Sequence, residues 1–137
     1  TINEMKNKKT IEHCWQMGIK LFEGWNKIAD KYNLNSKMIG YPIRMKLECL
    51  DSKNNPSNDL KALTIQEMIK KRIFMSPGVT FLSYSHTTQD IEFTLQSFDE
   101  ICKNISNNIS ENQYHSHLEG NIPKTIWSMK IPPTKKR

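Results

Sequence analysis

The chain has 137 residues, of which 36% are hydrophobic, and this suffices for one small domain with a buried core but not for a two-domain enzyme. A formal net charge of +6 suggests a nucleic-acid or membrane partner, but the charge is unevenly distributed. Residues 120–137 carry five basic and no acidic groups, whereas residues 11–119 carry 12 basic and 13 acidic groups, a net charge of −1. The composition therefore argues against nucleic acid and membranes as partners.

The first residues of the chain and its cysteines indicate the cellular compartment in which the protein is expected. No apolar run is long enough to span a membrane and no apolar leader follows Thr1, so we expect a cytoplasmic protein. Because the first residue is not Met, we expect a piece of a longer protein. Cys14, Cys49 and Cys102 are far apart and lack metal-binding spacing, which favours three buried thiols over a metal site or disulfides.

The first predicted elements are a helix and a strand. Apolar residues recur at the helical period and predict a long amphipathic helix over about 5–33. Gly40-Tyr41-Pro42 then predicts a turn. Strict alternation over 43–49 predicts a half-buried strand. We expect an inner face of Ile43, Met45, Leu47 and Cys49 and an outer face of Arg44, Lys46 and Glu48.

Beyond a polar loop at 51–59, a second helix is predicted at about 60–71, with Asp59 as its N-cap. Residues 73–75 and 79–84 are rich in β-branched and aromatic side chains and predict two short strands separated by Ser76-Pro77-Gly78. Thr87 and Asp90 have the spacing of a capping box, which predicts a third helix to about 107.

Residues 1–110 are therefore predicted to form one α+β domain, with helices on one face of a small, mostly antiparallel sheet and the order α-β-α-β-β-α. Residues 111–137 are predicted to be an irregular basic extension that is partly docked through Trp127 and Met129. The aromatic residues predicted to lie on core faces are Trp15, Phe22, Trp25, Phe81 and Phe98.

The sequence contains no recognisable catalytic or metal-binding motif, and the mere presence of Ser85, His86 and Asp90 does not indicate a triad. His86 lies at a strand-to-helix junction, where side chains often face a ligand, but the favoured interpretation is a histidine that orders the turn by hydrogen bonding. Arg44 could bind a carboxylate or phosphate, although a solvated strand face is the favoured interpretation. His13 is predicted to be surface-exposed, and it receives no function.

Several phrases follow one another in a recognisable order, at residues 11–21, 25–29, 40–44, 66–75 and 82–91, with a further one at 118–127. The most distinctive phrase is the Ser83-x-x-His86-Thr87-x-x-Asp90-Ile91 pattern, and the ordered set is more specific than any single phrase. This set resembles the C-terminal small domain of class III pyridoxal-phosphate-dependent aminotransferases, particularly the glutamate-1-semialdehyde aminomutase-like branch.

The resemblance implies a fold type I enzyme whose large domain, expected before Thr1, binds pyridoxal 5'-phosphate, while the small domain closes over the site in a homodimer. The implied reaction transfers an amino group between a small-molecule amine and a keto or aldehyde compound. No lysine of this chain receives the Schiff-base role, so we expect the chain alone to be inactive and to bind no cofactor. Ser83, Ser85 and His86 are expected near the mouth of the site.

Some relatives in this family have a carboxylate-binding arginine in the strand before the last helix. The nearest positions here are Phe81 and Leu82, so the resemblance does not transfer that role to Arg44.

Two alternatives from other functional classes remain open. The first is a ferredoxin-like module whose strands and basic tails bind RNA. It would need aromatic side chains on the exposed sheet face, where the sequence predicts Arg44, Lys46 and Glu48. The second is a protein-interaction domain that docks through Trp127.

Overall fold

The structure is a computed structural model that describes residues 2–122, apart from the side chains of Glu4 and Lys6. Its elements are α1 (Ile2–Asn7), α2 (Thr10–Lys31), β1 (Ser36–Tyr41), β2 (Arg44–Cys49), α3 (Asn58–Lys70), β3 (Val79–Phe81) and α4 (Thr88–Asn108), followed by 3-10 turns at Glu111–Gln113 and His115–His117. The predicted α+β class is confirmed. The predicted order α-β-α-β-β-α is wrong, because two strands precede α3 and one follows it.

The three strands form one antiparallel sheet in the order β1-β2-β3. Along β2 exposed and buried residues alternate without exception, with Met45, Leu47 and Cys49 buried. The predicted faces of this strand are confirmed for every residue within it. Because α2 and α3 pack on the sheet and α4 packs on α2, the helices cover the inner face and leave the outer face open.

Strand β1 was not predicted, because Ser36 and Gly40 are poor strand formers and its pattern is short. Side chains of α2 hold its backbone instead. Trp25 Nε1 donates to the Ser36 carbonyl at 2.9 Å. The Asn26 amide accepts from the Met38 N–H at 2.8 Å and donates to the Met38 carbonyl at 3.0 Å. Tertiary hydrogen bonds thus determine this strand where local propensity does not.

The predicted strand at 73–75 is wrong, and the end of α3 explains why. Arg72 takes a left-handed conformation with φ 64°. Its N–H donates to the Ile69 carbonyl at 2.8 Å, and the Ile73 N–H donates to the Met68 carbonyl at 3.0 Å. These two bonds form a Schellman motif, which turns the chain sharply after α3 and uses the Ile73 N–H that a strand would need.

Two predicted helix starts also differ from the structure. The long helix predicted over 5–33 is broken, because Lys9 has φ 47° between α1 and α2 and this left-handed conformation cannot continue a helix. The N-cap of α3 is Ser57, whose hydroxyl accepts from the Leu60 N–H at 3.2 Å. Asp59, the predicted cap, lies within the first turn and contacts His115 Nδ1 at 3.0 Å.

The core is centred on Trp25 and Phe98, which have no exposed surface and stack with ring centroids 3.5 Å apart. Two other aromatic residues predicted to face the core are exposed: Trp15 by 36% and Phe81 by 63%. Trp15 lies at the edge of the buried face of α2, which is formed by Met17, Gly18, Leu21, Trp25 and Ala29. A Cβ at Gly18 would lie 2.2 Å from the carbonyl oxygen of Pro42, so α2 touches the β1–β2 turn at Gly18.

Residues after α4 pack on α3. Tyr114 is buried, and the Gln66 side chain accepts from the Glu119 N–H at 2.8 Å and donates to the His117 carbonyl at 3.0 Å. The segment 111–119 is therefore attached to the domain. Trp127 and Met129, the residues predicted to dock, lie outside the described residues.

Candidate functional site

The three candidate site residues lie in the loop between β3 and α4, where Ser83 and Ser85 are exposed and His86 is half-buried. The backbone N–H and the hydroxyl of Ser83 each lie 3.0 Å from His86 Nδ1. Because a backbone N–H can only donate, Nδ1 is an acceptor and the neutral ring carries its proton on Nε2. The histidine therefore orders this turn, as the favoured interpretation requires, and Nε2–H remains available as a donor.

His13 was expected to be surface-exposed, but the structure places it half-buried against this loop. Its Nε2–H donates to the His86 carbonyl at 2.8 Å, and its ring lies 5.0 Å from that of Tyr84 at an angle of 57°. No local signal could have revealed this contact, because the bonded residues are 73 positions apart in the sequence. His13 thus attaches the candidate loop to α2.

The start of α4 is the predicted capping box. The Thr87 hydroxyl accepts from the Asp90 N–H at 3.2 Å, and Asp90 Oδ2 accepts from the Thr87 N–H at 2.7 Å. The bond from the Thr87 N–H lowers the pKa of the Asp90 carboxyl, helped by its hydroxyl and by nearby His86. The prediction of this helix start is confirmed, and the carboxylate stays ionised beside the loop.

His86 and Asp90 do not form a catalytic triad with the serines of this loop. A triad needs a carboxylate on the imidazole nitrogen that does not face the nucleophile. Asp90 Oδ2 is bonded to Thr87, and within residues 2–122 no carboxylate is hydrogen-bonded to His86. The hydrogen bonds between Ser83 and His86 therefore serve the turn and do not activate a nucleophile.

A cavity of about 90 Å³ lies between this loop, β3 and the helices. Its walls are mostly apolar, and exposed Phe74 and Phe81 are among its lining residues. The polar side chains that line it are Thr80, His86, Asp90 and Thr94. Arg44 and the two candidate serines do not line it, so the structure brings only His86 of the candidate residues to this cavity.

Arg44 lies on the open outer face of the sheet. It is paired in register with Tyr41 on β1 and Phe81 on β3, which are 72% and 63% exposed. Partners in register point to the same face, so two aromatic side chains flank the arginine. The predicted outer residues of β2 are exposed as expected, and Phe81, which was predicted to face the core, lies on this outer face instead. In the part of the chain that the structure describes, Arg44 forms no ion pair.

The cysteines form no redox or metal site among the described residues. All three are free thiols; Cys14 is partly exposed, while Cys49 and Cys102 are buried. Burial raises the pKa of Cys49 to about 11 and also raises that of Cys102, so both stay protonated and unreactive. The described part of the chain contains no cluster of three metal-ligating side chains.

The described residues do not fit pyridoxal phosphate. The cavity of about 90 Å³ is too small for a substituted ring with a phosphate, and neither a lysine nor an arginine lines it. Lys61 is half-buried, and burial together with nearby Lys46 lowers its pKa. However, Lys61 lies on α3 and does not line the cavity.

Among the described residues, no helix is both long and apolar enough to cross a membrane.

Comparisons with known proteins bear on the identity of this domain. No protein-family model matches the chain. The chain is 33% identical over 110 residues to glutamate-1-semialdehyde 2,1-aminomutase 1 of Staphylococcus carnosus, a match that covers 72% of this chain and 25% of the relative. It is also 33% identical over 101 residues to glutamate-1-semialdehyde 2,1-aminomutase 2 of Staphylococcus haemolyticus, a match that covers 66% of this chain and 24% of the relative. The chain thus spans about a quarter of the length of the curated relatives it matches.

Two solved structures share the fold. One is the FumI protein of Sphingopyxis sp. MTA144 in its PLP internal aldimine form, with a TM-score of 0.59, 20% identity and coverage of 70% of this chain and 23% of that chain. The other is an omega-transaminase from Sphaerobacter thermophilus, with a TM-score of 0.57, 12% identity and coverage of 67% and 23%. These matches confirm the resemblance to the C-terminal small domain of class III pyridoxal-phosphate-dependent aminotransferases, in the glutamate-1-semialdehyde aminomutase-like branch.

Proposed function

We propose that this chain is the small domain of a cytoplasmic aminotransferase or aminomutase that moves an amino group between an amine and a keto or aldehyde compound. The supporting observation is the 33% identity to an aminomutase of which the chain spans only 25%. The rest of such an enzyme would supply the pyridoxal phosphate and its lysine, and the parent would act as a homodimer. Alone, the chain would be catalytically silent.

Within that enzyme the β3–α4 loop would line the mouth of the active site. The Ser83–His86 bonds and the bond from His13 stabilise the conformation of the loop, while the hydroxyls of Ser83 and Ser85 are exposed. A rigid loop with exposed hydroxyls can position a substrate at little entropic cost. Ser83, Ser85 and His86 would therefore be positioning residues rather than catalytic ones.

The test uses a chimera in which this chain replaces the corresponding quarter of the Staphylococcus carnosus aminomutase. We expect the chimera to bind pyridoxal phosphate and turn over, while the isolated 137-residue chain shows neither a lysine-dependent cofactor absorbance nor activity. Ser85→Ala in the chimera should raise KM more than it lowers kcat. Turnover by the isolated chain, or a folded chimera that binds cofactor but transfers no amino group, would sink the proposal.

A second candidate function rests on the exposed row of Tyr41, Arg44 and Phe81. Aromatic side chains beside a cation are the surface that stacks single-stranded RNA. However, the described sheet has three strands in the order β1-β2-β3, and the α-α-β-β-α-β-α order of its elements is not the ferredoxin-like β-α-β-β-α-β order. Salt-dependent RNA binding that survives deletion of residues 120–137 but not Phe81→Ala would favour this candidate.

A further inference from the structure

The cavity beside β3 contains an unpaired polar atom. Among the described residues, the hydroxyl of Thr80 is the one buried side-chain oxygen or nitrogen without a hydrogen-bond partner. Thr80 faces inward on β3, because its register partner Met45 is fully buried, and it lines the cavity. A buried hydroxyl without a partner is costly, and native structures pair such groups with protein, water or ligand.

The dimensions of the cavity limit what can occupy it. A water molecule needs about 10–15 Å³ of such space, and a dry cavity of about 150 Å³ binds benzene. The cavity of about 90 Å³ therefore has room for a short chain of roughly three or four carbons with a small head group. Its walls include Leu21, Trp25, Met38 and Ile91, which suit an aliphatic chain better than a cluster of water.

The charges around the cavity discriminate between head groups. Asp90 is the one lining residue with a formal charge, since neither a lysine nor an arginine lines the space. The capping bonds lower the pKa of Asp90, so the charge is negative at neutral pH. The carboxylate therefore disfavours an anion at this site, whereas an amine or hydroxyl head group can donate to the Thr80 hydroxyl or the carboxylate, and a hydroxyl head group can also accept from His86 Nε2–H.

We propose that this cavity binds a short aliphatic molecule, or the end of a longer one, whose uncharged or cationic head group donates a hydrogen bond to the Thr80 hydroxyl. The aliphatic chain of the ligand would lie against the apolar walls, and exposed Phe74 is among the residues that line them. The proposal rests on the 137-residue chain alone and does not depend on the aminotransferase activity of a parent enzyme.

The test is a titration of the purified chain with n-butylamine, 1-butanol and butyrate, followed by amide chemical shifts. We expect butylamine and butanol to cause saturable shifts in residues 80–82 and 90–94, and butyrate to cause none. Thr80→Val, which keeps the shape of the side chain and removes the hydroxyl, should weaken both affinities about three- to tenfold, the range for one lost hydrogen bond. Asp90→Asn should weaken butylamine but leave butanol unchanged.

Two matched variants control this experiment. Thr80→Ser retains the hydroxyl and should retain binding. Thr94→Val removes another lining hydroxyl, which already donates to the Asp90 carbonyl at 2.7 Å, and should leave both affinities unchanged. Absence of saturable shifts would mean that the cavity holds water only. The proposal would be overturned by this absence of shifts, by butyrate binding as tightly as butylamine, or by full affinity in Thr80→Val.

Discussion

Gly18 determines how closely α2 can approach the β1–β2 turn. A Cβ added there would overlap the Pro42 carbonyl oxygen at 2.2 Å, and a backbone oxygen in a tight turn cannot move aside. At Gly24, further along α2, a Cβ would lie 2.5 Å from Leu95 Cδ1, which is the end of a flexible side chain. The two glycines therefore differ in what a methyl group would displace.

We predict that Gly18→Ala lowers the free energy of unfolding by about 2 kcal/mol or more, because overpacking against backbone shifts the turn. In Gly24→Ala the Leu95 side chain can rotate, and the gain in helix propensity of about 1 kcal/mol offsets the crowding. Urea unfolding followed by tryptophan fluorescence compares the two. Equal stability of the two variants would contradict the close approach at Gly18.

Asp90 makes the stability of the start of α4 dependent on pH. Its folded-state pKa is lowered by the bonds from Thr87, so the stabilisation is fully present above the unfolded-state value of about 3.9. It is lost as the pH falls through the lower folded-state pKa. We predict that the urea midpoint falls on acidification below about pH 4 and that Asp90→Asn reduces this dependence.

The matched control for this pH profile is Glu92→Gln, in the same helical turn, because Glu92 makes no hydrogen bond among the described residues. Its profile should equal that of the original chain. Asp51 and Asp99 also have lowered pKa values, so a smaller acid dependence should persist in Asp90→Asn. An unchanged profile in Asp90→Asn would contradict the prediction.

Strand β1 shows how a helix can complete the edge of a sheet. Its inner neighbour is β2, and on α2 the Asn26 side chain reproduces the donor and acceptor of a strand toward Met38. Together with the bond from Trp25 to Ser36, this arrangement satisfies backbone groups that would otherwise be exposed along the edge. The register of β1 therefore depends on α2 as well as on β2.

We predict that Asn26→Leu destabilises the domain by about 1–3 kcal/mol, because the N–H and carbonyl of Met38 lose their partners where water has limited access. Lys27→Leu, at the neighbouring exposed position, makes the same change in hydrophobicity and should change stability by less than about 0.5 kcal/mol. Denaturation midpoints test this pair, and amide exchange at Met38 should accelerate only in Asn26→Leu.

Elements specified by local patterns were predictable, and those specified by distant contacts were not. The alternation of β2 and the capping box of α4 each depend on residues that are close together in the sequence, and both predictions are confirmed. Strand β1 depends on Trp25 and Asn26 of another element, and the end of α3 depends on Arg72 in a left-handed conformation that arginine seldom adopts. The same reason explains why the role of His13 could not be predicted.

The reactivity of the three cysteine thiols depends on how well the folded domain excludes solvent and reagents from its core. Cys14 is partly exposed on α2, whereas Cys49 and Cys102 are buried on β2 and α4. Burial raises the pKa of both buried thiols, which reduces the thiolate that alkylating reagents need.

We predict that iodoacetamide at pH 8 modifies Cys14 first and that Cys49 and Cys102 react only on unfolding. Mass spectrometry after timed quenching measures this order, and modification in urea supplies the fully reactive control. Early modification of Cys49 in the absence of urea would contradict the packing of β2 against α3.

The bond between His13 and His86 connects α2 to the loop before α4, and the stack of Trp25 on Phe98 connects α2 to α4. Both contacts join residues that are far apart in the sequence. The β1–β2 hairpin, by contrast, is closed by neighbouring residues. Contacts of long sequence separation form late in folding, because loop entropy must be lost before they contribute. During synthesis the hairpin and the helix α2 that holds β1 both leave the ribosome before α4, so Trp25 would lack its stacking partner Phe98 until α4 has followed.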